Sequence, residues 1–400
     1  MERPRTLQFG ETIEFEKVKE FLNSMAINSQ QTKNVYHVAL AHFQTFLFQS
    51  EYKDYNIESI LVPISDNSVD VYKLLNKFVM YLTTRQNPKK GKLSPASFSL
   101  YVTAVRSYLE HHDIEISIKK FKRRVILPKK TYGITDGIDA EDIRKLLLAC
   151  TNTRLKAFML VVASSGMRAN EALSLRNRDL DYSLMPCKVH LRAEITKTKQ
   201  ANDIYISDEA FQELKTFAES KYKDKLENIK SNHPNELIFS IEKETEPISM
   251  YKTLRSHFIR LLEKVGMDKR RDGDQRWEIS FHSFRAFVKT TISNQGYGDF
   301  SEWILGHRSS MAARYYKDKE QKRREIYKKC MKYLTFLDYT TVVTVGKDFE
   351  SKLQERDKEI DQLKNGMEEL KRMYMKSMAG HVVMESDLDS KGRIKRKIIK

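Results

Sequence analysis

The chain has 400 residues, with 71 Lys and Arg against 54 Asp and Glu, so its formal net charge is +17. This length exceeds one ordinary hydrophobic core and predicts two or three domains, and the excess of positive charge predicts an anionic partner. The longest apolar run, Ala157–Ala163, is too short for a membrane span, and the first residues lack the apolar segment of a secretory signal. Cys150, Cys187 and Cys330 are too far apart in sequence for a CxxC metal site or a disulfide framework. We therefore expect a cytoplasmic protein that makes no use of a membrane.

The first third of the chain is predicted to be helical. Its apolar residues recur at helical spacing in four segments, which are Phe15–Ile27, Val35–Phe48, Val69–Leu82 and Phe98–Ile114. Ser94 followed by Pro95 matches an N-cap with proline at the first helical position. Residues 85–130 hold twelve Lys or Arg and three acidic residues, a density that favours contact with phosphates over a merely solvated surface. The sequence predicts a helical core DNA-binding domain over 1–128 and a linker over 129–137.

The second predicted domain, residues 138–340, mixes helices with short strands. Helical spacing returns in four segments, which are Ala140–Ala149, Leu155–Ala163, Glu209–Glu219 and Tyr251–Val265. Alternating apolar and polar residues predict three strands, at Val189–Leu191, Glu194–Thr196 and Ile204–Ile206. The predicted fold class is therefore mostly α with a small antiparallel β-sheet, in which a helical domain precedes an α+β domain.

The C-terminal region has a different pattern. From Phe349 to Tyr374, apolar residues alternate steps of four and three, with Arg356 as the one polar member of the series. This heptad pattern predicts a coiled-coil helix over 344–376. Gly366 within it keeps open the alternative of a single amphipathic helix that folds back on the body. Residues 377–400 are predicted to form a basic, flexible tail.

Two segments of the second domain carry cations in patterned settings. In one, a buried helix ends at Ser164–Gly166 and a new helix begins around Arg168, so a phosphate there would meet both a helix N-terminus and a bidentate guanidinium. In the other, a hairpin turn projects Lys197 and Lys199, and a lysine beside a phosphodiester can protonate a leaving alkoxide. Taken alone, each cation is more commonly an ordinary surface residue.

Two later segments hold histidine, arginine and tyrosine. His282 and Arg285 stand three residues apart and share one helix face, which places a proton-transfer group beside a fixed cation. A helix is predicted to stop at Gly306, with His307 in the loop that follows it. A tyrosine pair at 315 and 316 then lies within two turns of the next predicted helix start. These motifs are individually weak, and their order and spacing carry the information.

In this order and spacing the chain resembles the tyrosine recombinase family, which includes the phage-type integrases and the Xer-like recombinases. The resemblance covers about residues 138–320. The segment from Ser165 to Asp181 is similar to the family's first arginine box, and Leu305–Ser310 is similar to its second histidine box. The family's nucleophile falls nine residues after that histidine, which corresponds to Tyr316, with Tyr315 as the alternative.

The resemblance implies a role for each site residue. Arg168 and Arg285 would clamp the non-bridging phosphate oxygens, and Tyr316 would attack phosphorus to form a 3′-phosphotyrosyl link. Lys197, with Lys199 as the alternative, would protonate the leaving 5′ oxygen. His282 would assist proton transfer at Tyr316, and His307 would hydrogen-bond the phosphate. No metal and no cofactor is implied, and Glu171 would brace the site.

The expected activity is therefore that of a site-specific DNA recombinase, or integrase, which integrates or excises a mobile or viral genome. The expected partners are two double-stranded DNA recombination sites, a homotetramer assembled on them, and a possible further partner of the coiled coil. A chromosome-dimer-resolving recombinase, a type IB topoisomerase-like enzyme and a non-catalytic DNA-binding regulator are the alternatives. The expected location is the cytoplasm, at the nucleoid or in the host of a virus. A segment within 320–340 would be exchanged between protomers.

Overall fold

The computed structural model describes residues 15–84, 86–87, 91–129, 137–271, 276–307 and 318–337, and the helical residues 356, 358 and 360–373. These residues are mostly helical with short antiparallel strands. Contacts divide the chain into two compact units, one of residues 1–136 with 269–278 and the other of residues 137–268 with 279–400. In the described part of the chain, no helix is long and apolar enough to cross a membrane.

The first unit is a set of short helices around one apolar core. The helices are α1 (Glu16–Asn28), α2 (Gln30–Gln49), α3 (Leu61–Ser65), α4 (Val71–Thr84), α5 (Pro95–His111) and α6 (Ile118–Arg124), with strands β1 (Gln86–Asn87) and β2 (Gly91–Lys92) paired antiparallel. The four predicted helices are confirmed as α1, α2, α4 and α5. Ser94 caps α5 by accepting from the Ser97 N–H, and Pro95 occupies its first turn, as predicted.

Buried aromatic side chains hold these helices together. Phe43 contacts Phe78 edge to face, with ring centroids 5.2 Å apart, and both rings are fully buried. The hydroxyl of Tyr108 on α5 donates to the carbonyl of Ile57 at 3.1 Å, which satisfies the polar end of an otherwise apolar side chain. Burial raises the pKa of Tyr108, so this hydroxyl stays protonated.

The second unit is built around one central helix. Its helices are α7 (Ala140–Ala149), α8 (Thr153–Ser165), α9 (Ala169–Leu173), α10 (Asp208–Tyr222), α11 (Leu226–Asn232), α12 (Pro247–Val265), α13 (Phe281–Asn294), α14 (Gly298–Ile304) and α15 (Glu320–Met331). Helix α8 is buried from Leu155 onwards except at Lys156, which places it inside the core rather than at its surface. Helices α10 and α13 pack against it, and so does α12.

A three-stranded antiparallel sheet lies beside these helices. Its strands are β3 (Leu180–Asp181), β4 (Lys188–Leu191) and β5 (Asn202–Tyr205), in the order β3-β4-β5, with Val189 opposite Ile204. The prediction of a strand at Glu194–Thr196 is wrong, because Ala193–Ile195 forms a 3-10 turn. The Thr196 hydroxyl is hydrogen-bonded to the carbonyls of Ala193 and Gln200, which closes the connection locally instead of leaving it extended.

The segment after α14 returns to the core of the same unit. The Tyr327 hydroxyl on α15 donates to the Ser164 carbonyl at 2.9 Å, and the Phe336 and Leu337 N–H groups donate to the Glu209 carboxylate. Tyr327 and Phe336 are almost completely buried. Residues 320–337 therefore pack within their own chain in this single copy, and the exchange of a segment within 320–340 between protomers stays a prediction.

Further along, residues 360–373 form a helix with every side chain exposed. Four members of the predicted heptad series, Ile360, Leu363, Met367 and Leu370, are 48% to 73% exposed. The helix is therefore present with its apolar series uncovered, whereas the pairing of two such helices stays a prediction. Phe349, Leu353 and Tyr374 lie outside the described residues.

Gly166 is a position where the fold requires glycine. Its φ is +68°, and an added Cβ would lie 2.6 Å from Leu305 Cδ2 and 3.1 Å from Val288 Cγ1. Gly266 is a matched control, because it ends α12 with a φ of +72° and has nothing within 4 Å of such a Cβ. The left-handed backbone costs an L-residue about 1–2 kcal/mol at either site. Overlap with core side chains adds about 1–3 kcal/mol at Gly166 alone.

We therefore expect Gly166→Ala to lower the urea midpoint of unfolding clearly more than Gly266→Ala does, as followed by circular dichroism. Equal shifts for the two variants would contradict the close packing of Gly166 against Leu305 and Val288.

Candidate active site

Arg285 is the centre of the candidate site. It lies on α13 and is 4% exposed, and its guanidinium donates to the Gly166 carbonyl at 2.7 Å and to the Leu305 carbonyl at 2.5 Å. Its Nη2 also lies 3.1 Å from His307 Nε2. Burial, and after it the positive charge of Arg168, lowers the pKa of Arg285 to about 10, so the group remains a cation at neutral pH.

Arg168 lines the same cleft as Arg285 and is held by an acidic neighbour. It stands immediately before α9, with its side chain 29% exposed. One oxygen of Glu171 accepts from the Arg168 backbone N–H at 2.9 Å, and the other accepts from Arg168 Nη1 at 2.8 Å. Because Glu171 is 3% exposed, it is a fixed acceptor that orients the guanidinium. This is the bracing that the family resemblance implies for Glu171.

The lysine turn borders this cleft. Thr196 and Thr198 line it, and Lys197 between them is exposed. Lys199 has a φ of +55°, and its Nζ donates to the Glu194 carbonyl at 3.3 Å. Lys199 therefore contacts its own turn, and the choice between Lys197 and Lys199 stays a prediction.

His282 and Arg285 stand three residues apart on α13, as predicted, and His282 is exposed whereas Arg285 is buried. His307 follows α14, where Gly306 adopts a φ of +67° and reverses the chain direction. Arg168, Arg285 and Gly306 line one cleft, and His307 contacts Arg285. Tyr315 and Tyr316 lie outside the described residues.

Three residues that the sequence did not single out support the site. Asn202 Nδ2 donates to the carbonyls of Trp303 and Ile304 at 3.4 and 3.3 Å, which ties β5 to the end of α14. Glu302 accepts from His307 Nδ1 at 2.8 Å and from Lys289 Nζ at 2.5 Å. For Glu302, the sequence offered one signal of a contact with His307: the two residues are five positions apart, about one and a half helical turns.

The chain is similar in sequence to known integrases and recombinases. Residues 137–323 match the model of the phage integrase family. The tyrosine recombinase XerA of Saccharolobus solfataricus is 26% identical over 203 residues, a match that covers 49% of this chain and 59% of that relative. The chain thus spans less than two thirds of the length of this curated relative.

Solved structures of recombinases are also similar. XerH bound to a palindromic difH substrate, after cleavage, gives a TM-score of 0.49 at 17% identity, covering 77% of this chain and 82% of that one. A lambda integrase tetramer bound to a Holliday junction gives 0.48 at 14% identity, covering 80% and 84%.

Within the residues that match this family model, Arg168 and Arg285 thus line one cleft and His307 contacts Arg285. The chain carries a phage integrase family domain over residues 137–323 and is homologous to a Xer tyrosine recombinase.

The bracing of Arg168 gives a stability prediction. Glu171→Ala removes the buried acceptor of the Arg168 N–H, and an unsatisfied donor of this kind costs about 1–3 kcal/mol. Glu171→Gln retains one amide oxygen as acceptor, so it should cost less. Chemical denaturation of the two variants and the parent chain measures their free energies of unfolding. A Glu171→Ala protein as stable as the parent would contradict the bracing role.

Proposed function

We propose that this protein is a site-specific DNA recombinase that cleaves and rejoins strands through a covalent 3′-phosphotyrosine. The observation that carries the proposal is the convergence of Arg168 and Arg285 at one cleft, with His307 against Arg285. Two cations fixed by buried acceptors can neutralise the non-bridging oxygens of one phosphodiester and the additional charge of its pentavalent transition state.

In the proposed reaction, the Tyr316 oxygen attacks phosphorus and the bond from phosphorus to the 5′ oxygen breaks. His282 accepts the tyrosine proton, and Lys197 supplies a proton to the departing 5′ oxygen. The phosphotyrosyl link retains the bond energy, so a 5′ hydroxyl of a partner strand can attack it and release Tyr316. Arg168 and Arg285 hold the phosphate through both steps.

The first unit is proposed to hold the DNA duplex. On α6 the side chains of Lys119, Lys120, Lys122 and Arg123 are exposed, within the basic stretch 85–130. Cations at a helix surface attract the phosphate backbone without reading bases. The proposed layout is a DNA-holding domain over 1–128, a linker over 129–137 and a strand-transfer domain over 138–340, which act as a homotetramer on two recombination sites.

The proposed biological task is integration or excision of a mobile or viral genome, with resolution of chromosome dimers as the second candidate. The helix at 360–373, with its uncovered apolar series, extends beyond the integrase domain and favours the first task slightly.

The direct test of the activity is covalent trapping on a nicked suicide DNA. The parent chain should form a protein–DNA adduct that survives denaturing electrophoresis, and Tyr316→Phe should form none while its DNA affinity is unchanged. Tyr315→Phe is the matched control and should still trap DNA. Trapping by Tyr316→Phe but not by Tyr315→Phe would reassign the nucleophile. If the parent chain forms no adduct, the proposed activity is refuted and the DNA-binding regulator becomes the better hypothesis. Strand relaxation without exchange between duplexes would indicate a topoisomerase.

The heptad series gives a separate prediction about assembly. We propose that helix 360–373 pairs with the same helix of a second copy, because its apolar heptad series, from Ile360 to Leu370, is 48% to 73% exposed and pairing would remove that apolar surface from water. Leu363→Glu puts a charge into that series and should shift sedimentation toward the monomer. Asn365→Glu adds the same charge on the opposite helix face and should not. Identical sedimentation of both variants and the parent would contradict pairing through this face.

A further inference from the structure

Glu302 stands between two cationic or protonatable groups beside the cleft. Its Oε2 lies 2.8 Å from His307 Nδ1, and its Oε1 lies 2.5 Å from Lys289 Nζ. The Glu302 side chain is 20% exposed and that of His307 is 34% exposed, so both are partly shielded from water. A carboxylate held by two donors at once has little freedom to rotate.

The backbone brings the two residues of this pair together. Gly306 adopts a φ of +67°, and the His307 N–H then donates to the Glu302 carbonyl at 3.0 Å. This reversal folds His307 back over the last turn of α14, on which Glu302 lies. The contact is therefore built by the helix end and does not depend on a chance meeting of two surface side chains.

The hydrogen-bond partners determine the tautomer of His307. A guanidinium only donates, so the 3.1 Å contact from Arg285 Nη2 to His307 Nε2 requires a lone pair on Nε2. The imidazole proton then resides on Nδ1, where the Glu302 carboxylate accepts it. Each nitrogen of the ring has a defined role.

From this geometry we propose that Glu302 is a positioning residue, which holds the proton of His307 on Nδ1 and thereby directs Nε2 towards Arg285 and the scissile phosphate. The inference depends on the proposed strand-transfer function for its substrate. Lys289 completes the arrangement by fixing the second carboxylate oxygen.

The charge of Glu302 also bears on what His307 can do in the reaction. Burial raises the pKa of the Glu302 carboxyl, but hydrogen bonds from Lys289 and His307 outweigh it and bring the pKa below its usual value, so the group is ionised. When a phosphate oxygen replaces Arg285 at Nε2, the imidazole can donate to it only after Nε2 has taken a second proton from solvent water. A carboxylate at Nδ1 stabilises that imidazolium.

The test compares three variants of the full chain on the nicked suicide DNA. Glu302→Ala should slow single-turnover cleavage by about tenfold or more while DNA affinity is unchanged; because Glu302 acts through His307, the loss should stay below the roughly 10²- to 10⁴-fold that a proton-transfer group itself contributes. Glu302→Gln should lose less, because its amide oxygen still accepts from Nδ1. Asp299→Asn removes the same charge from an exposed position on α14 and should cleave as the parent does.

A second readout separates positioning from mere stability and does not need cleavage. With 15N-labelled histidine, the His307 signals, assigned by their loss in His307→Gln, should show a protonated Nδ1 and a bare Nε2 in the parent chain. Glu302→Ala should shift them towards the other tautomer.

The possible outcomes are distinct. Parent-like cleavage by Glu302→Ala, or a parent His307 protonated on Nε2 alone, overturns the positioning role. A parent chain that forms no adduct refutes the proposed function, and the NMR result then decides the tautomer assignment by itself.

Discussion

The structure of the second unit depends on burying one arginine. The Arg285 guanidinium is almost inaccessible to water, and a buried charge is tolerated only where hydrogen bonds replace its hydration. Two backbone carbonyls supply them, at Gly166 and Leu305, which are the ends of two different helices. Because helix C-termini carry unpaired carbonyls and partial negative charge, they suit this cation better than neutral side chains would. The charge thus fixes how α8, α13 and α14 meet.

That constraint explains why the site residues come from separate segments. Gly166 turns the chain out of α8 and leads directly to Arg168, so the carbonyl that holds one arginine lies two residues from the other. Gly306 likewise turns the chain out of α14 and leads to His307. Each turn uses the left-handed backbone that glycine adopts at least cost. The site is therefore organised by helix ends, and its geometry is coupled to the packing of the core.

The sequence predicted the elements better than the contacts between them. Periodicity found α7 at its observed bounds, because one apolar face is a local property of the chain. It failed at Glu194–Thr196, where alternation resembles a strand but Thr196 closes a turn. The motifs predicted Arg168, Arg285 and His307 as a set through their order and spacing. Neither the periodicity nor the motifs could show that Glu302 contacts His307, since that contact depends on the direction in which the chain leaves α14.

The positive charges of the chain have two different physical roles, which the net charge alone does not distinguish. The exposed lysines of α6 act at long range and through screened interactions, so they suit a backbone that is held without base readout. Arg285 and Arg324 are buried and matched to carbonyls, Arg324 to those of Leu184 and Pro186. Such arginines keep their charge, but their hydrogen bonds to carbonyls fix where that charge lies. Of the two, only Arg285 lines the cleft, and there its contribution depends on orientation, which the buried acceptors provide before any phosphate arrives.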